Sequence, residues 1–292
     1  MSDSASSPRL LCLGLGYTAE RLARRLAARG FAIVGTTRDV DRKRASLGVE
    51  ARDWSLIAWQ GRDPLPAEVI ASATHVLHSI MPDAEGDPVL RWHADDVLRA
   101  APTWIGYLST TGVYGDHQGA WIDETTTPKP SKDRTRRRVI AEQGWQRLGA
   151  HVFRLAGIYG PGRSALERVE QGDPPIDKPG KCFNRIHVDD IANVLEASIA
   201  RPRPGRVYDV ADGEPASQVD VLGYAAELLG LARAPAIRFE QAELSPMARS
   251  FWDDDVKIRG LRIREELGVA LEHPDYRAGL RACLAARGTA DQ

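Results

Sequence analysis

Short unbroken apolar runs alternate with stretches in which apolar residues recur every third or fourth position. Leu10-Leu11-Cys12-Leu13 is the first run, of the kind that suits a strand buried on both faces. Gly14-Leu15-Gly16 follows. Then Ala19, Leu22, Ala23, Leu26 and Ala27 fall at helical spacing, with Gly30 placed to end the helix. Phe31-Ala32-Ile33-Val34-Gly35 is the next run. Further strands are predicted over 49–54, 74–80, 104–108 and 151–155, and helices over 89–100 and 131–148. Parallel strands joined through helices cross over with a right hand, so this alternation predicts an α/β fold with a doubly wound parallel sheet. From 161 to 183 the pattern loosens into Pro, Gly and charge. Beyond it come a helix marked by Ile191, Val194, Leu195, Ser198 and Ile199 with Asp189 as its cap, a last sheet strand over 206–210, and an amphipathic helix after Ser217. The expected organisation is a main domain of residues 1–160 and 184–213, with a smaller C-terminal lobe of 161–183 and 214–292.

The first strand-to-helix turn carries the clearest chemistry. Gly14-Leu15-Gly16-Tyr17-Thr18-Ala19 has the form G-x-G-x-x-G/A. Gly14 permits a tight turn, Gly16 lets the backbone approach a pyrophosphate, and Ala19 lets the helix pack close to the strand. The amides of the first turn, with Tyr17 and Thr18, then face phosphate oxygens. Between a strand and a helix the motif predicts a Rossmann dinucleotide site, which makes the main domain the dinucleotide-binding one and the lobe a place for substrate. NAD binders usually close the second strand with an acid for the ribose hydroxyls. Here the sequence is Gly35-Thr36-Thr37-Arg38-Asp39. Either Arg38 holds a 2′-phosphate with help from the Thr37 hydroxyl, or Asp39 serves the ribose and Arg38 is solvated. The first reading is favoured and predicts NADP(H), while the second leaves NAD(H) open. Asp53, just past the predicted third strand, is either an acceptor for the adenine amino group or a turn residue.

Composition narrows the partners. Lys+Arg is 39 against 40 Asp+Glu, a net charge of -1 over 292 residues, without the basic excess of a nucleic-acid binder. No stretch is apolar for long enough to cross a bilayer, and the polar start has no apolar core of a signal peptide. Cys12, Cys182 and Cys283 are too few and too scattered for a disulfide framework or a zinc site, and fit a reducing cytoplasm as buried small residues. No metal is expected. His75 and His78 lie three apart on a strand and so point to opposite faces.

Five segments, in this order and spacing, carry a family resemblance: Gly14 to Ala19, Leu108-Ser109-Thr110-Thr111-Gly112-Val113-Tyr114-Gly115, Arg154 to Arg163, Arg185-Ile186-His187-Val188-Asp189-Asp190-Ile191-Ala192, and Val207 to Asp212. Together the chain resembles the extended short-chain dehydrogenase/reductase superfamily, in its NAD-dependent epimerase/dehydratase branch. The resemblance implies a Ser/Thr hydroxyl after the fifth strand that positions a substrate oxygen. It also implies an acid/base Tyr and a Lys four residues apart on the next helix. Thr110 falls at the hydroxyl position. Counting back from Glu142, the Tyr and Lys slots hold Arg134 and Arg138, and no Tyr lies between Gly115 and Gly149. An Arg keeps its proton and cannot replace the Tyr, so the chain resembles atypical members of the superfamily.

Ser79, Ile80 and Met81, followed by Pro82 as a substrate contact, end the fourth strand either beside the cofactor's ribose and nicotinamide or as a plain Pro turn. Arg138 either donates to the ribose hydroxyls or a phosphate or belongs to a solvated basic face. Arg163 and Arg185 either pair with an anionic substrate or are surface charge. Gly157 and Ile158 are assigned to the cofactor and Tyr159 to the substrate. Thr110 and Tyr114 are the catalytic candidates, and His187 is a structural residue. The implied function is an NADP(H)-binding, epimerase/dehydratase-like oxidoreductase or epimerase acting on a small polar substrate such as a sugar nucleotide. The alternative, suggested by the missing Tyr/Lys pair, is a non-catalytic dinucleotide-binding sensor or scaffold. A homodimer is compatible with either reading, and the sequence leaves the oligomeric state open.

Overall fold

The computed structural model describes residues 7–288. In chain order the elements are β1 (Arg9–Leu13), α1 (Tyr17–Ala27), β2 (Ala32–Thr37), α2 (Val40–Leu47), β3 (Ser55–Ala58), α3 (Ala67–Ala71), β4 (His75–His78), α4 (Pro88–Ala100), β5 (Trp104–Thr110), β6 (Trp121–Ile122), α5 (Asp133–Arg147), β7 (His151–Leu155) and β8 (Gly157–Tyr159). They continue with α6 (Ala165–Glu170), β9 (Ile176–Asp177), β10 (Arg185–His187), α7 (Val188–Ala200), β11 (Val207–Val210), α8 (Gln218–Leu228), β12 (Ile237–Arg238), α9 (Pro246–Arg249), β13 (Lys257–Ile258), α10 (Arg262–Glu265) and α11 (Tyr276–Gly288). Seven strands form the central sheet in the order β11-β7-β5-β4-β1-β2-β3. β1 pairs in parallel with both β2 and β4, β2 with β3, and β4 with β5. The strand order reverses its direction of growth between β1 and β4, and in open α/β sheets ligands bind at such a switch point, outside the carboxyl ends of the strands. The fold is the Rossmann-like α/β expected from the sequence.

Two compact units divide the described residues: one holds residues 7–109 with Lys132–Arg154 and Leu195–Val207, the other Thr110–Ser131, Leu155–Val194 and residues 208–288. This interleaving is finer than the expected split at 160, 184 and 213.

The core of the first unit gathers Leu11, Leu13, Val76, Ile105, Tyr107, Trp145 and Val152. A polar knot sits inside it. His78 lies against the rings of Tyr107 and Trp145, with centroids 5.3 and 4.8 Å apart. Its Nε2 meets Asp87 Oδ2 at 2.8 Å, and Trp145 Nε1 donates to the same oxygen at 3.1 Å. The other oxygen of Asp87 accepts the amides of Val89 and Leu90 and so caps α4. Burial pushes the Asp87 carboxyl up, but His78 and these donors hold it below its usual range. The second unit has its own core, in which Tyr159 and Leu166 pack with Ala216, Val221, Ala225, Tyr276, Leu280 and Cys283. Cys12 and Cys283 are buried as expected, while Cys182 is only half-buried.

One predicted strand is displaced. Val49–Ala51 is a short 3-10 turn after Gly48, and β3 begins only at Ser55. β3 is a four-residue edge strand, Ser55-Leu56-Ile57-Ala58, with both ends exposed; its apolar run is too short to stand out from the Val- and Trp-containing segment just before it.

Candidate functional site

The turn after β1 is built by three hydrogen bonds. The Gly14 amide donates to Thr36 Oγ1 at 2.8 Å, the Leu15 amide to the Thr36 carbonyl at 2.8 Å, and Ser79 Oγ to the Gly14 carbonyl at 2.6 Å. β2 and β4 thereby clamp the turn from both sides. Gly14 has φ +91°, and a Cβ there would stand 2.8 Å from Ser79 Oγ and 2.9 Å from Ile80 Cγ1. Gly16 is different: it is exposed, its φ is -88°, and a Cβ would meet nothing within 4 Å. It is the N-cap of α1, and no side chain caps the helix. The Thr18 and Ala19 amides therefore point out of the helix with no acceptor among the described residues. Ala19 is 1% exposed, which is the close helix–sheet approach that a small residue permits. Tyr17 is half-buried and opens the helix.

At the end of β2, Asp39 is the N-cap of α2, its Oδ1 accepting the Arg42 amide at 2.9 Å. Thr37 Oγ1 donates to the Asp39 carbonyl at 3.2 Å. Arg38 is exposed and makes no hydrogen bond or ion pair among the described residues. Ser79, half-buried Ile80 and exposed Met81 follow β4 on the same edge of the sheet as Gly14, with Pro82 next to them. Asp53 requires a correction. It precedes β3, so it lies at the amino end of a parallel strand, opposite the edge that carries Gly14, Arg38 and Ser79. Its side chain is 90% exposed beside Arg52, and the displaced third strand is the reason.

Arg138 is not free. Its Nη1 donates to the Tyr107 hydroxyl and the Leu108 carbonyl, both at 3.1 Å. Burial raises the Tyr107 phenol well above its usual range despite this guanidinium. Nearby, Arg154 forms a buried fork with Glu142, Nη2 to Oε2 at 2.8 Å and Nε to Oε1 at 3.1 Å, while Ser109 Oγ donates to Glu142 Oε1 at 2.5 Å. Sequence reading used Glu142 only as a counting mark, although an acid mid-helix and an Arg inside an apolar strand are a signal for such a pair.

In the second unit Thr110 Oγ1 accepts the Gly112 amide at 3.1 Å, which leaves its hydrogen available to another acceptor. Tyr114 is fully buried, and its hydroxyl lies 2.9 and 2.8 Å from the two oxygens of Asp209. β8 and β10 set Gly157 opposite Arg185, Ile158 opposite Ile186 and Tyr159 opposite His187. Tyr159 is packed under α11, where a Cβ on Gly279 would stand 2.0 Å from its hydroxyl. Arg163 is exposed in the tight turn it forms with Gly160. His187, Asp190 and His273 bring ligand-type atoms within 4.8 Å of one another. The Asp190 oxygens accept the Glu272 and His273 amides and meet His273 Nδ1 at 2.9 Å, which fastens the chain ahead of α11.

Comparison with known proteins agrees with the architecture. No protein-family model matches the chain. It is 28% identical over 281 residues to protein YeeZ of Escherichia coli, covering 90% of this chain and 95% of that one. A functionally unknown conserved protein from Silicibacter pomeroyi is 49% identical, with a TM-score of 0.87 over 96% of this chain and 99% of the other. A provisionally assigned NAD-dependent epimerase/dehydratase from Methylobacillus flagellatus is 26% identical, with a TM-score of 0.71 over 97% and 99%. The dTDP-glucose 4,6-dehydratase of Bacillus anthracis, solved in complex with NAD, shares the fold at 13% identity and a TM-score of 0.74 over 97% of each chain. Among the described residues no helix is long and apolar enough to cross a membrane.

Proposed function

We infer that this chain, whose structural neighbours include NAD-dependent epimerase/dehydratase proteins, belongs with that branch of the extended short-chain dehydrogenase/reductases, binds NADP(H) at the Gly14 turn and acts as an oxidoreductase or epimerase on a small polar substrate. The observation that carries this reading is the uncapped N-terminus of α1 beside Gly16. Amides aimed outward at the positive end of a helix are a ready receptor for a diphosphate. Gly16 would let the diphosphate approach, Ser79 to Met81 would flank the ribose and nicotinamide, and the dinucleotide would supply hydride chemistry when bound.

The preference for NADP(H) rests on the division of labour after β2. Asp39 is committed to capping α2, whereas Arg38 is exposed and has no partner among the described residues, so the position offers a cation and not an acid to the 2′ end of the ribose. Fluorescence titration with NADPH and NADH tests this. Arg38→Ala should weaken NADPH binding about tenfold or more, the scale of one lost charged hydrogen bond, and leave NADH binding unchanged. Equal affinities of the native protein for both coenzymes would remove the NADP assignment.

Thr110 is the proposed positioning hydroxyl for a substrate oxygen. A second reading, a non-catalytic dinucleotide-binding protein, draws on one observation: Tyr114 is locked onto Asp209 and Arg138 onto β5. Neither is then placed to move a proton. A panel of hydroxy and keto compounds followed at 340 nm, with product analysis for redox-neutral epimerisation, separates the two. Turnover that falls in Thr110→Ala supports an enzyme, while coenzyme binding with no turnover on any member supports the second reading.

A further inference from the structure

In the second unit a half-buried arginine and a buried aspartate stand close together, and their side chains form no ion pair among the described residues. Arg185 donates through Nη1 to the carbonyls of Phe183 and Ala216, both at 2.9 Å. Its guanidinium makes no other hydrogen bond or ion pair among the described residues. Asp212, in the loop after β11, is 2% exposed. Its Oδ1 accepts the Glu214 amide at 3.2 Å, and its Oδ2 is buried with no partner. The Asp212 amide donates to the Arg185 carbonyl at 2.7 Å, so the two residues are joined at the backbone while their side chains form no ion pair. Among the described residues the Tyr159 hydroxyl makes only a long bond of 3.4 Å, to the Asp275 carbonyl. Protein interiors pair or satisfy such groups almost without exception. The buried, unpartnered Asp212 oxygen therefore calls for a partner, and the half-buried guanidinium with spare N–H groups and the weakly bonded phenol beside it offer that partner further donors.

We propose that Arg185, Asp212 and Tyr159 form a binding subsite for an oxyanion such as sulfate, a phosphoryl group or a carboxylate. Arg185 presents Nε and Nη2, the side-on fork that matches two oxygens of such a group. Asp212 at first looks like an obstacle, since a carboxylate repels an anion. Burial, however, pushes its carboxyl up to about 8 against the pull of the Glu214 amide and Arg185. At neutral pH it is an acid with an O–H to donate. Burial also keeps the Tyr159 phenol protonated. The groups that face Asp212 are Arg185 from β10, Tyr159 from β8, Glu214 from its own loop and Asp275 from the segment before α11. Tyr276 on α11 and Cys182 face Arg185. With Asp212 protonated all three side chains can donate, and the site holds the anion together with that proton.

The test uses the full chain and sulfate, whose charge is constant from pH 6 to 10, against chloride at matched ionic strength. Sulfate should raise the melting temperature at pH 7, and its apparent affinity should fall at least tenfold by pH 9.5 as Asp212 ionises. Asp212→Asn keeps a donor and should hold the affinity within about twofold across that range. Arg185→Gln should abolish the effect. If that variant does not fold, the flat profile of Asp212→Asn decides the matter. UDP serves as a second probe: displacement of sulfate by UDP assigns the anion to a larger ligand's diphosphate, and sulfate binding indifferent to UDP assigns it to a free small anion. The proposal falls if sulfate acts no more than chloride does, or if its effect is the same at both pH values and in both variants, which marks an adventitious ion only. Such a failure leaves the coenzyme reading, measured with NADPH, intact.

Discussion

Gly14 and Gly16 stand two residues apart and do different work. Gly14 is held in the left-handed region, with the Ser79 hydroxyl and Ile80 where a Cβ would go, so Gly14→Ala should lower the melting temperature and weaken coenzyme binding together. Gly16 has an ordinary φ and open space before it. Gly16→Ala should melt within a degree or two of the native protein, a surface-like change, while its NADPH affinity drops. Equal losses of stability in the two variants would contradict this division. Asp212 gives a second prediction at this scale. Its carboxyl titrates near 8 when folded and at its ordinary 3.8 when unfolded. Between about pH 4 and 8 the folded state holds a proton that the unfolded chain has released, so stability falls as pH rises through that window and levels off above it. Urea midpoints of Asp212→Asn should lose that slope; an unchanged slope would assign it to other groups. Neither Asp212 nor the Tyr114–Asp209 contact was legible in the sequence, because a pairing set by burial across strands leaves no local pattern. The glycine turn was legible because its chemistry lies within six consecutive residues.

At the scale of elements, the Glu142–Arg154 fork joins α5 to β7, and Ser109 adds β5 to it. Both charges are almost fully buried, with side-chain exposures of 2% and 7%. Removing one partner strands the other, at a cost of about 3–5 kcal/mol, whereas replacing both with apolar residues is often neutral. Arg154→Met should therefore destabilise strongly in denaturant titrations, and Glu142→Leu combined with Arg154→Met should recover much of the loss. If the double variant is no better than the single, the fork has another function. The start of the helix read after Ser217 holds, since Ser217 caps α8; Asp189, read as a cap, lies instead inside the first turn of α7, which begins at Val188, and the Asp87 cap of α4 was not read. Boundaries were also misread at β3, where the short Leu56-Ile57-Ala58 run was passed over for the segment before it. That one shift moved Asp53 from the ligand-binding edge of the sheet to the far one.

For the whole molecule, the alternation of runs and periodic stretches was enough to give the seven-stranded sheet, since burial on both faces writes itself into consecutive residues. It could not resolve the interleaving of the two units, in which the chain passes back and forth between separate cores. α11 packs in the second core over Tyr159, where any side chain at Gly279 would collide with the phenol, so Gly279→Ala should lower the melting temperature of the full chain by several degrees. The three-bond clamp on the Gly14 turn has a consequence for timing. A receptor already fixed by Thr36 and Ser79 has no slow rearrangement to wait for. In stopped-flow mixing, coenzyme should therefore dock in a single exponential whose rate climbs linearly with concentration, and a plateau would reveal a hidden isomerisation.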